Sequence, residues 1–373
     1  MNKRNSGIEL AKVLAVIGIV ISHAIPDGDT NMYSSAIDIN QATADAQLFI
    51  VALLKNLGQL GNAVFIICSS WFLMESKKVN GVKIAGYIGD CFCISIISVV
   101  FFLALGYHFP AKYVIRMIFP VTFGNCWYLT CYLLLYAIHP LLNIVIDTIN
   151  KRTFFVLVSG FITLYNLIGF LGGNGLFYWS ELVGFVGVYF TVAYIKRYMP
   201  GLCNSIKENI ILLCMGFWGW MSMMLLTNGL GLRFEIFSDQ LQRGKTWMNP
   251  CFLLIAFSVF NLARIRKFYS KGINYMASMS LLIYMIHCNR IIRDYVRFDI
   301  FGVILSRYSY RYLIGWILLY AVITLVGSLV IAMLYKKTLQ PIANKMSCFI
   351  YNQVKWMYSR LYSYMDTWGG EGM

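Results

Sequence analysis

Long apolar runs separated by short polar segments follow one another along most of the 373-residue chain. A helix that crosses a bilayer needs about 20 consecutive, mostly apolar residues. The runs therefore predict an all-α polytopic membrane protein with about ten transmembrane helices. The predicted spans are 8–25, 57–74, 84–107, 126–148, 153–171, 179–197, 210–228, 249–263, 275–292 and 313–335.

The chain after the last predicted span has a different pattern. Residues 338–373 mix aromatic and basic side chains, among them Phe349, Tyr351, Lys355 and Trp356, without a run long enough to cross a membrane. Such a composition is typical of an amphipathic segment that lies along a membrane surface. The pattern thus divides the chain into a transmembrane domain, 1–337, and an interfacial cytoplasmic tail, 338–373.

Composition supports the membrane class. Hydrophobic residues make up 59% of the chain and charged residues only 13%, against about 25% charged residues in a typical soluble domain. The net charge of +15 does not predict a nucleic-acid partner, because the basic residues cluster between the apolar runs as topology determinants do.

The distribution of basic residues predicts the orientation. With the N-terminus in the cytoplasm, every inner segment holds at least two Lys or Arg residues, and most of the 31 basic residues are inside. The first outer segment instead carries Asp27, Asp29, Asp38 and Asp45. The positive-inside rule therefore predicts that both termini are cytoplasmic. The expected location, a bacterial plasma membrane, does not follow from this rule.

One predicted outer segment departs from this rule. It follows the ninth span and carries Arg290, Arg293, Arg297, Arg307 and Arg311. The first interpretation is a solvated loop or an error in the predicted topology. The second is an outer basic surface that meets an anionic polymer or a lipid phosphate.

Motifs of several enzyme classes are missing from the sequence. It contains no GxxxxGK[ST] phosphate loop, no HExxH and no GxSxG, which argues against an ATPase, a metalloprotease and a serine hydrolase of the usual fold. The ten cysteines have no regular CxxC spacing and are interpreted as small buried residues, so no metal site is predicted.

The first span holds the strongest candidate for chemistry, because ionisable groups inside a membrane are costly and usually functional. Glu9 and Lys12 share a helix face, and His23 lies eleven residues after Lys12, on nearly the same face and about 16 Å away. This geometry suits coenzyme A, with a cation near its phosphates and a histidine near its thioester. The alternative is that Lys12 snorkels and His23 is only interfacial.

Four stretches resemble the acyltransferase-3 family of membrane O-acyltransferases. Residues 7–23 resemble the opening of the family, with an acidic residue, a basic residue three later and a histidine eleven further on; here the usual arginine is Lys12. Residues 62–73 resemble its second span, without the glycine before the aromatic Trp71. Residues 125–143 resemble its Trp-Tyr-Leu span that ends at a proline, and residues 280–287 its late Ser…Tyr…His span.

The resemblance implies O-acylation of carbohydrate, and within the family the chain looks most like acetyltransferases of capsular or other exopolysaccharides. Acetyl-CoA or another acyl-CoA would be the co-substrate, without a metal. The other expected partners are membrane lipid and a surface polysaccharide or an undecaprenyl-type lipid-linked sugar, with no nucleic acid. Direct transfer and an acetyl-histidine relay both remain open.

The same resemblance implies roles for individual residues. The catalytic residues expected are His23, as general base, and Glu9. The donor phosphates are expected to meet Lys12, Arg4 and Arg116, and the acceptor to meet Trp127, Tyr128 and His287.

Two alternatives to this function remain open. One is a polysaccharide or lipid-linked sugar exporter with the same fold, and another is an inactive scaffold. Separately, two other histidines are not expected to belong to the site. His108 is interpreted as an interfacial residue, and His139 as a residue that makes a local hydrogen bond beside Pro140.

Overall fold

The structure is a computed structural model that describes residues 4–25, 41–167, 180–237, 248–293, 295–296 and 310–369. Within these ranges the chain is built from helices and contains no strand, which confirms the predicted all-α class. Asp27, Asp29, Asp38, Arg297 and Arg307 lie outside the described residues.

The helices are numbered here in chain order. They are α1 (Ser6–Ala24), α2 (Ala46–Leu73), α3 (Gly81–Ala104), α4 (Ala111–Ile118), α5 (Trp127–Thr148), α6 (Lys151–Phe161), α7 (Glu181–Tyr198), α8 (Pro200–Asn204), α9 (Ile206–Arg233), α10 (Pro250–Ile265), α11 (Lys271–Ala277), α12 (Ser280–His287), α13 (Leu313–Thr338) and α14 (Gln340–Gly369). A π-helix, Ile162–Leu167, continues α6.

Six of these helices are long and apolar enough to cross a bilayer, namely α1, α2, α3, α5, α9 and α13. This confirms a polytopic membrane protein. The remaining predicted spans correspond to shorter or more polar helices. For example, α10 is apolar but has only 16 residues, and α7 carries Glu181, Lys196 and Arg197.

The predicted ninth span, 275–292, is not one continuous helix. It is divided between α11 and α12 at Ser278 and Met279, where the backbone N–H of Ser278 donates to the carbonyls of both Asn274 and Tyr275. The Ser278 hydroxyl also donates to the Tyr275 carbonyl and accepts a 2.9 Å hydrogen bond from Lys336 Nζ. The serine side chain therefore competes with regular helical bonding at the break.

Helix α1 lies between α2, α11, α12 and α13, and both of its ends are fixed. At its first turn, the Asn5 side chain donates to the carbonyl of Arg264 at 3.0 Å, and Ser6 Oγ donates to Asn274 Oδ1 at 2.9 Å. Along its length, Gly58 and Gly61 of α2 allow the two backbones to approach closely. Small residues at such contacts are typical of membrane helix pairs.

The first half of α14 packs against α3. The Tyr351 ring lies over Gly81, Ser347 lies against Gly89, and Gln340 Nε2 donates to Asp90 at 2.8 Å. Farther along, Trp356, Tyr358 and Tyr362 are exposed. The division of the chain at residue 337 and the surface location of residues 338–373 stay predictions.

Candidate functional site

Two histidines from distant parts of the sequence meet inside the helix bundle. His23 lies in the last turn of α1 and His287 is the last residue of α12, and their Nδ1 and Nε2 atoms are 3.1 Å apart. His287 is buried, with 5% of its surface exposed. The break between α11 and α12 precedes this segment, and α12 ends beside α1.

The backbone carbonyl of Ile283 determines which ring nitrogens of His287 and His23 carry hydrogen. His287 Nδ1 lies 2.7 Å from the carbonyl oxygen of Ile283, which only accepts, so Nδ1 carries the hydrogen. A buried imidazole without a charged partner is neutral, and His287 Nε2 then has a lone pair. His23 Nδ1–H donates to it, which leaves the lone pair of His23 on Nε2.

A buried lysine holds the end of α1 that carries His23. Lys55 of α2 donates from Nζ to the carbonyls of Ser22 at 3.2 Å and Ile25 at 2.8 Å, and Ser22 Oγ donates to the Lys55 carbonyl at 2.6 Å. A cation at a helix C-terminus satisfies the terminal carbonyls and the helix dipole. Sequence reasoning missed Lys55, although a lone cation at the edge of an apolar run was the signal available.

Cys288 adds a third group to the histidine pair. Its Sγ lies 3.4 Å from His23 Nδ1 and 3.5 Å from His287 Nε2. The three possible ligand atoms all lie within 4.8 Å of one another, so this set has the composition and spacing of a metal-ligand group. The expectation that the protein needs no metal stays a prediction.

A cavity of about 370 Å³ extends from the N-terminal end of α1 to His287. We call it the basic cavity because Arg4, Lys12 and Lys336 line one end. Tyr128 and Tyr284 line it nearer to His287. This cavity thus brings together four of the residues predicted from the sequence, namely Arg4, Lys12, Tyr128 and His287. Lys336 lines the same cavity but was not predicted.

Glu9 belongs to the basic end of this arrangement and does not contact His23. It is buried, pairs with Lys12 Nζ at 2.8 Å and with Arg4 Nε at 3.5 Å. Fourteen residues of helix separate it from His23, a rise of about 21 Å. Glu9 therefore pairs with Lys12, as their spacing in the sequence predicts, and its expected catalytic role stays a prediction.

Tyr128 is the predicted aromatic residue that lines the basic cavity. Its hydroxyl oxygen is buried and has no hydrogen-bond partner among the described residues. An unpaired buried hydroxyl is costly, which favours a ligand group as its partner. Trp127 packs against the Tyr128 ring, with centroids 5.5 Å apart, and does not line the basic cavity.

Arg116 is separated from Lys12. It is exposed on α4, and its neighbour Met117 packs with Phe102 and Ile291 near the His23 end of the bundle. The structure does not bring Arg116 to the basic cavity, because α3 carries the chain to the opposite end before α4 begins.

The remaining histidines are apart from the pair. His139 is buried in α5, and its Nδ1 lies 2.6 Å from the Tyr136 carbonyl, as the interpretation of a local hydrogen bond requires. His108 is exposed between α3 and α4.

A second cavity of about 530 Å³ lies between α1, α3, α12 and α13 and also reaches both histidines of the pair. We call it the apolar cleft, since most of its lining is aliphatic and aromatic, and Arg293 lies at its edge. His287 lines both cavities. The histidine pair is therefore where a basic and an apolar compartment meet.

The histidine pair of this membrane helix bundle therefore lies between two separate compartments. The acyltransferase-3 family model, described as an acyltransferase domain, matches residues 5–335. The chain belongs to this family and is a membrane acyltransferase. No curated protein and no solved structure matches it.

Proposed function

We propose that this protein is an O-acyltransferase of a bacterial plasma membrane that moves an acyl group, most simply acetyl, from acyl-CoA to a hydroxyl of a cell-surface polysaccharide or its precursor. The observation that supports this best is the His23–His287 pair at the meeting point of the basic cavity and the apolar cleft. One compartment suits a phosphorylated donor, and the other offers a separate path for an acceptor.

The basic cavity is proposed as the donor site. Arg4, Lys12 and Lys336 supply positive charge for the phosphates of coenzyme A, and Glu9 orients Lys12. The pantetheine arm then extends toward His287, where the walls are less charged. Arg116 and Trp127 take no part in this proposal, because neither lines the cavity.

The proposed chemistry is direct transfer. The acceptor oxygen attacks the thioester carbonyl carbon, and its proton moves to His23 Nε2. The C–S bond breaks, the ester forms, and the departing coenzyme A sulfur takes the proton from His23. During attack, negative charge develops on the carbonyl oxygen, for which the Tyr128 hydroxyl is the proposed donor.

The test is His23→Ala, with His108→Ala as a matched control because His108 lines neither cavity. Acyl ester is measured on isolated surface polysaccharide at equal membrane levels of the two variants. We expect ester to disappear in His23→Ala, while the polymer still reaches the surface, and to persist in His108→Ala. Persisting ester in His23→Ala would remove His23 from the chemistry. Loss of the polymer itself would instead favour the exporter.

A further inference from the structure

The junction between α13 and α14 contributes two side chains to the basic cavity. Lys336 comes from the last turn of α13 and Gln340 is the first residue of α14, and both line the cavity together with Lys12 of α1. Both also follow residue 335, where the matched acyltransferase domain ends. The wall of the cavity is therefore completed by residues that lie beyond the matched domain.

One buried acidic residue holds both sides of this junction. Asp90 of α3 has 3% of its surface exposed and lines the basic cavity. Its Oδ1 atom accepts a 2.9 Å hydrogen bond from the Tyr335 hydroxyl of α13, and its Oδ2 atom accepts a 2.8 Å hydrogen bond from Gln340 Nε2 of α14. Lys336 lies between these two donors in the chain, so the Asp90 carboxyl group constrains the segment that carries the lysine.

Close packing keeps α14 against α3 beyond this junction. A Cβ atom at Gly89 would overlap Ser347 Oγ, and one at Gly81 would overlap the Tyr351 ring. Ala343, about one helical turn after the start of α14, has only 3% of its surface exposed. The position of α14 is thus fixed by packing, whereas the contacts of Asp90 determine how the start of α14 and the end of α13 face the cavity.

The charge of Asp90 alone does not explain its place in this cavity. Arg4, Lys12 and Lys336 suit the cavity to an anionic ligand, whereas a carboxylate beside them repels one. A buried carboxyl group that accepts two hydrogen bonds instead orders the groups that donate to it. The two roles predict opposite effects, because loss of a repelling charge strengthens the binding of an anion and loss of an ordering contact weakens it.

We infer that Asp90 is a positioning residue of the donor site and that α14 forms part of that site. Through Tyr335 and Gln340, Asp90 holds the α13–α14 junction so that the ammonium group of Lys336 faces the phosphates of the donor. This rests on the proposed function, because it concerns the residues that shape the proposed donor cavity. Helix α14, which begins beyond the predicted transmembrane domain, then takes part in donor binding.

Three substitutions separate positioning from charge. Asp90→Leu removes the charge and both hydrogen bonds, whereas Asp90→Asn removes the charge but keeps a carbonyl oxygen for the Tyr335 hydroxyl and an amide group for the Gln340 side chain. Gln340→Leu removes one of the two contacts and leaves Asp90 in place. Gln353→Leu is the matched control, because Gln353 is an exposed residue of the same helix and does not line the basic cavity.

The experiment measures the binding of coenzyme A to the full chain in detergent micelles by calorimetry, and the binding of pantetheine by competition at higher concentration. Pantetheine has no phosphate, so its affinity reports whether the rest of the cavity is intact. We expect Asp90→Leu to weaken coenzyme A binding by about tenfold or more, since a charged contact with phosphate is lost, and Gln340→Leu to weaken it less. Asp90→Asn should restore most of the affinity, and Gln353→Leu should match the wild type. Pantetheine should bind equally to all of them.

Unchanged or tighter coenzyme A binding in Asp90→Leu would overturn the inference, and so would a parallel loss of pantetheine affinity, because the whole cavity would then be disturbed. If Asp90→Leu does not fold, the comparison of Gln340→Leu with Gln353→Leu decides in the same way.

Acyl ester on isolated surface polysaccharide is measured for the same variants, so that the inference and the proposed function can fail separately. Ester in the wild type together with normal coenzyme A binding in Asp90→Leu would remove Asp90 from the donor site and leave the proposed function standing. Coenzyme A binding that depends on Asp90, without any ester in the wild type, would count against the proposed function and leave the inferred site standing. A wild type that does not bind coenzyme A would overturn both.

Discussion

At the scale of single residues, one backbone carbonyl decides which nitrogen of His23 is basic. The Ile283 carbonyl accepts from His287 Nδ1, and His287 Nε2 in turn accepts from His23 Nδ1. The lone pair of His23 is thereby directed to Nε2. The arrangement resembles other catalytic groupings in which a third group orients the base.

Two variants of His287 test this orientation. Leucine removes the acceptor for His23 Nδ1–H, whereas glutamine retains a carbonyl oxygen that can accept. We expect His287→Leu to lower kcat on the order of 10²-fold or more and His287→Gln to recover part of it. The KM for acyl-CoA should change little in either. A wild-type kcat in His287→Leu, with normal folding by thermal melting, would contradict the proposed proton arrangement.

Because Cys288 lies beside the histidine pair, we expect the pair to bind zinc. Zinc bound by His23 Nδ1, His287 Nε2 and the Cys288 thiolate would displace the hydrogen bond between the rings and put the proton of His23 on Nε2. The expected result is inhibition by added Zn²⁺ that EDTA reverses, with about tenfold weaker inhibition in Cys288→Ser. Copurifying zinc whose removal abolishes activity would instead show that the protein needs the metal.

The sequence predicts part of this site for a clear reason. Lys12 and His23 are on one helix, so the helical period relates them without any tertiary information, and the same is true of Glu9 and Lys12. The contact of His23 with His287 joins residues 264 apart in the chain, and only the resemblance suggested that His287 belongs there. Lys336 and Cys288 could not be selected, because their roles depend on packing between α1, α12 and α13.

At the scale of helices, the close contact of α1 with α2 determines where His23 lies. A Cβ atom at Gly61 would come within 2.6 Å of the Ala15 carbonyl oxygen and 2.8 Å of the Ile19 side chain. No larger residue fits there without moving α1 away from α2. The glycine therefore fixes the position of α1, and with it the position of His23.

Gly61→Leu is expected to destabilise the protein and to lower its activity. Overpacking a well-packed interface costs about 1–3 kcal/mol, and displacement of α1 moves His23 from His287. The measurements are the apparent melting temperature in detergent and the rate of acyl transfer. Gly229→Leu on α9 is the control, because a side chain there meets nothing within 4 Å. Equal melting temperatures and rates in the two variants would show that the α1–α2 contact is not tight.

Hydropathy predicts helices better than it predicts their interruptions. The spans from which α1, α3, α5 and α13 were expected agree with the structure to within a few residues. The break at Ser278 was missed, since a serine within an apolar run leaves mean hydropathy almost unchanged. Its effect comes from local hydrogen bonds and from Lys336, a residue of another helix.

At the scale of the whole molecule, the two compartments approach the same histidine from different sides. The basic cavity reaches His287 from the N-terminal end of α1, and the apolar cleft reaches it along α13. Under the proposed function, the donor and the acceptor bind in separate compartments, and only their reacting groups need to meet. The sequence alone could not show this, because neither compartment is formed by a single helix.

Independent compartments predict that donor binding can be weakened without effect on the acceptor. Lys336 lines the basic cavity, whereas Lys337, the next residue of α13, is exposed and lines neither compartment. Losing a charged contact to phosphate costs about 1.5–3 kcal/mol, or roughly 10- to 100-fold in affinity. Lys336→Gln should therefore raise the KM for acyl-CoA by that factor and leave the acceptor KM nearly unchanged, while Lys337→Gln should match the wild type. Steady-state kinetics with each substrate varied in turn decides this, and equal donor KM values in the two variants would exclude Lys336 from donor binding. A parallel rise in the acceptor KM of Lys336→Gln would mean that the compartments are coupled.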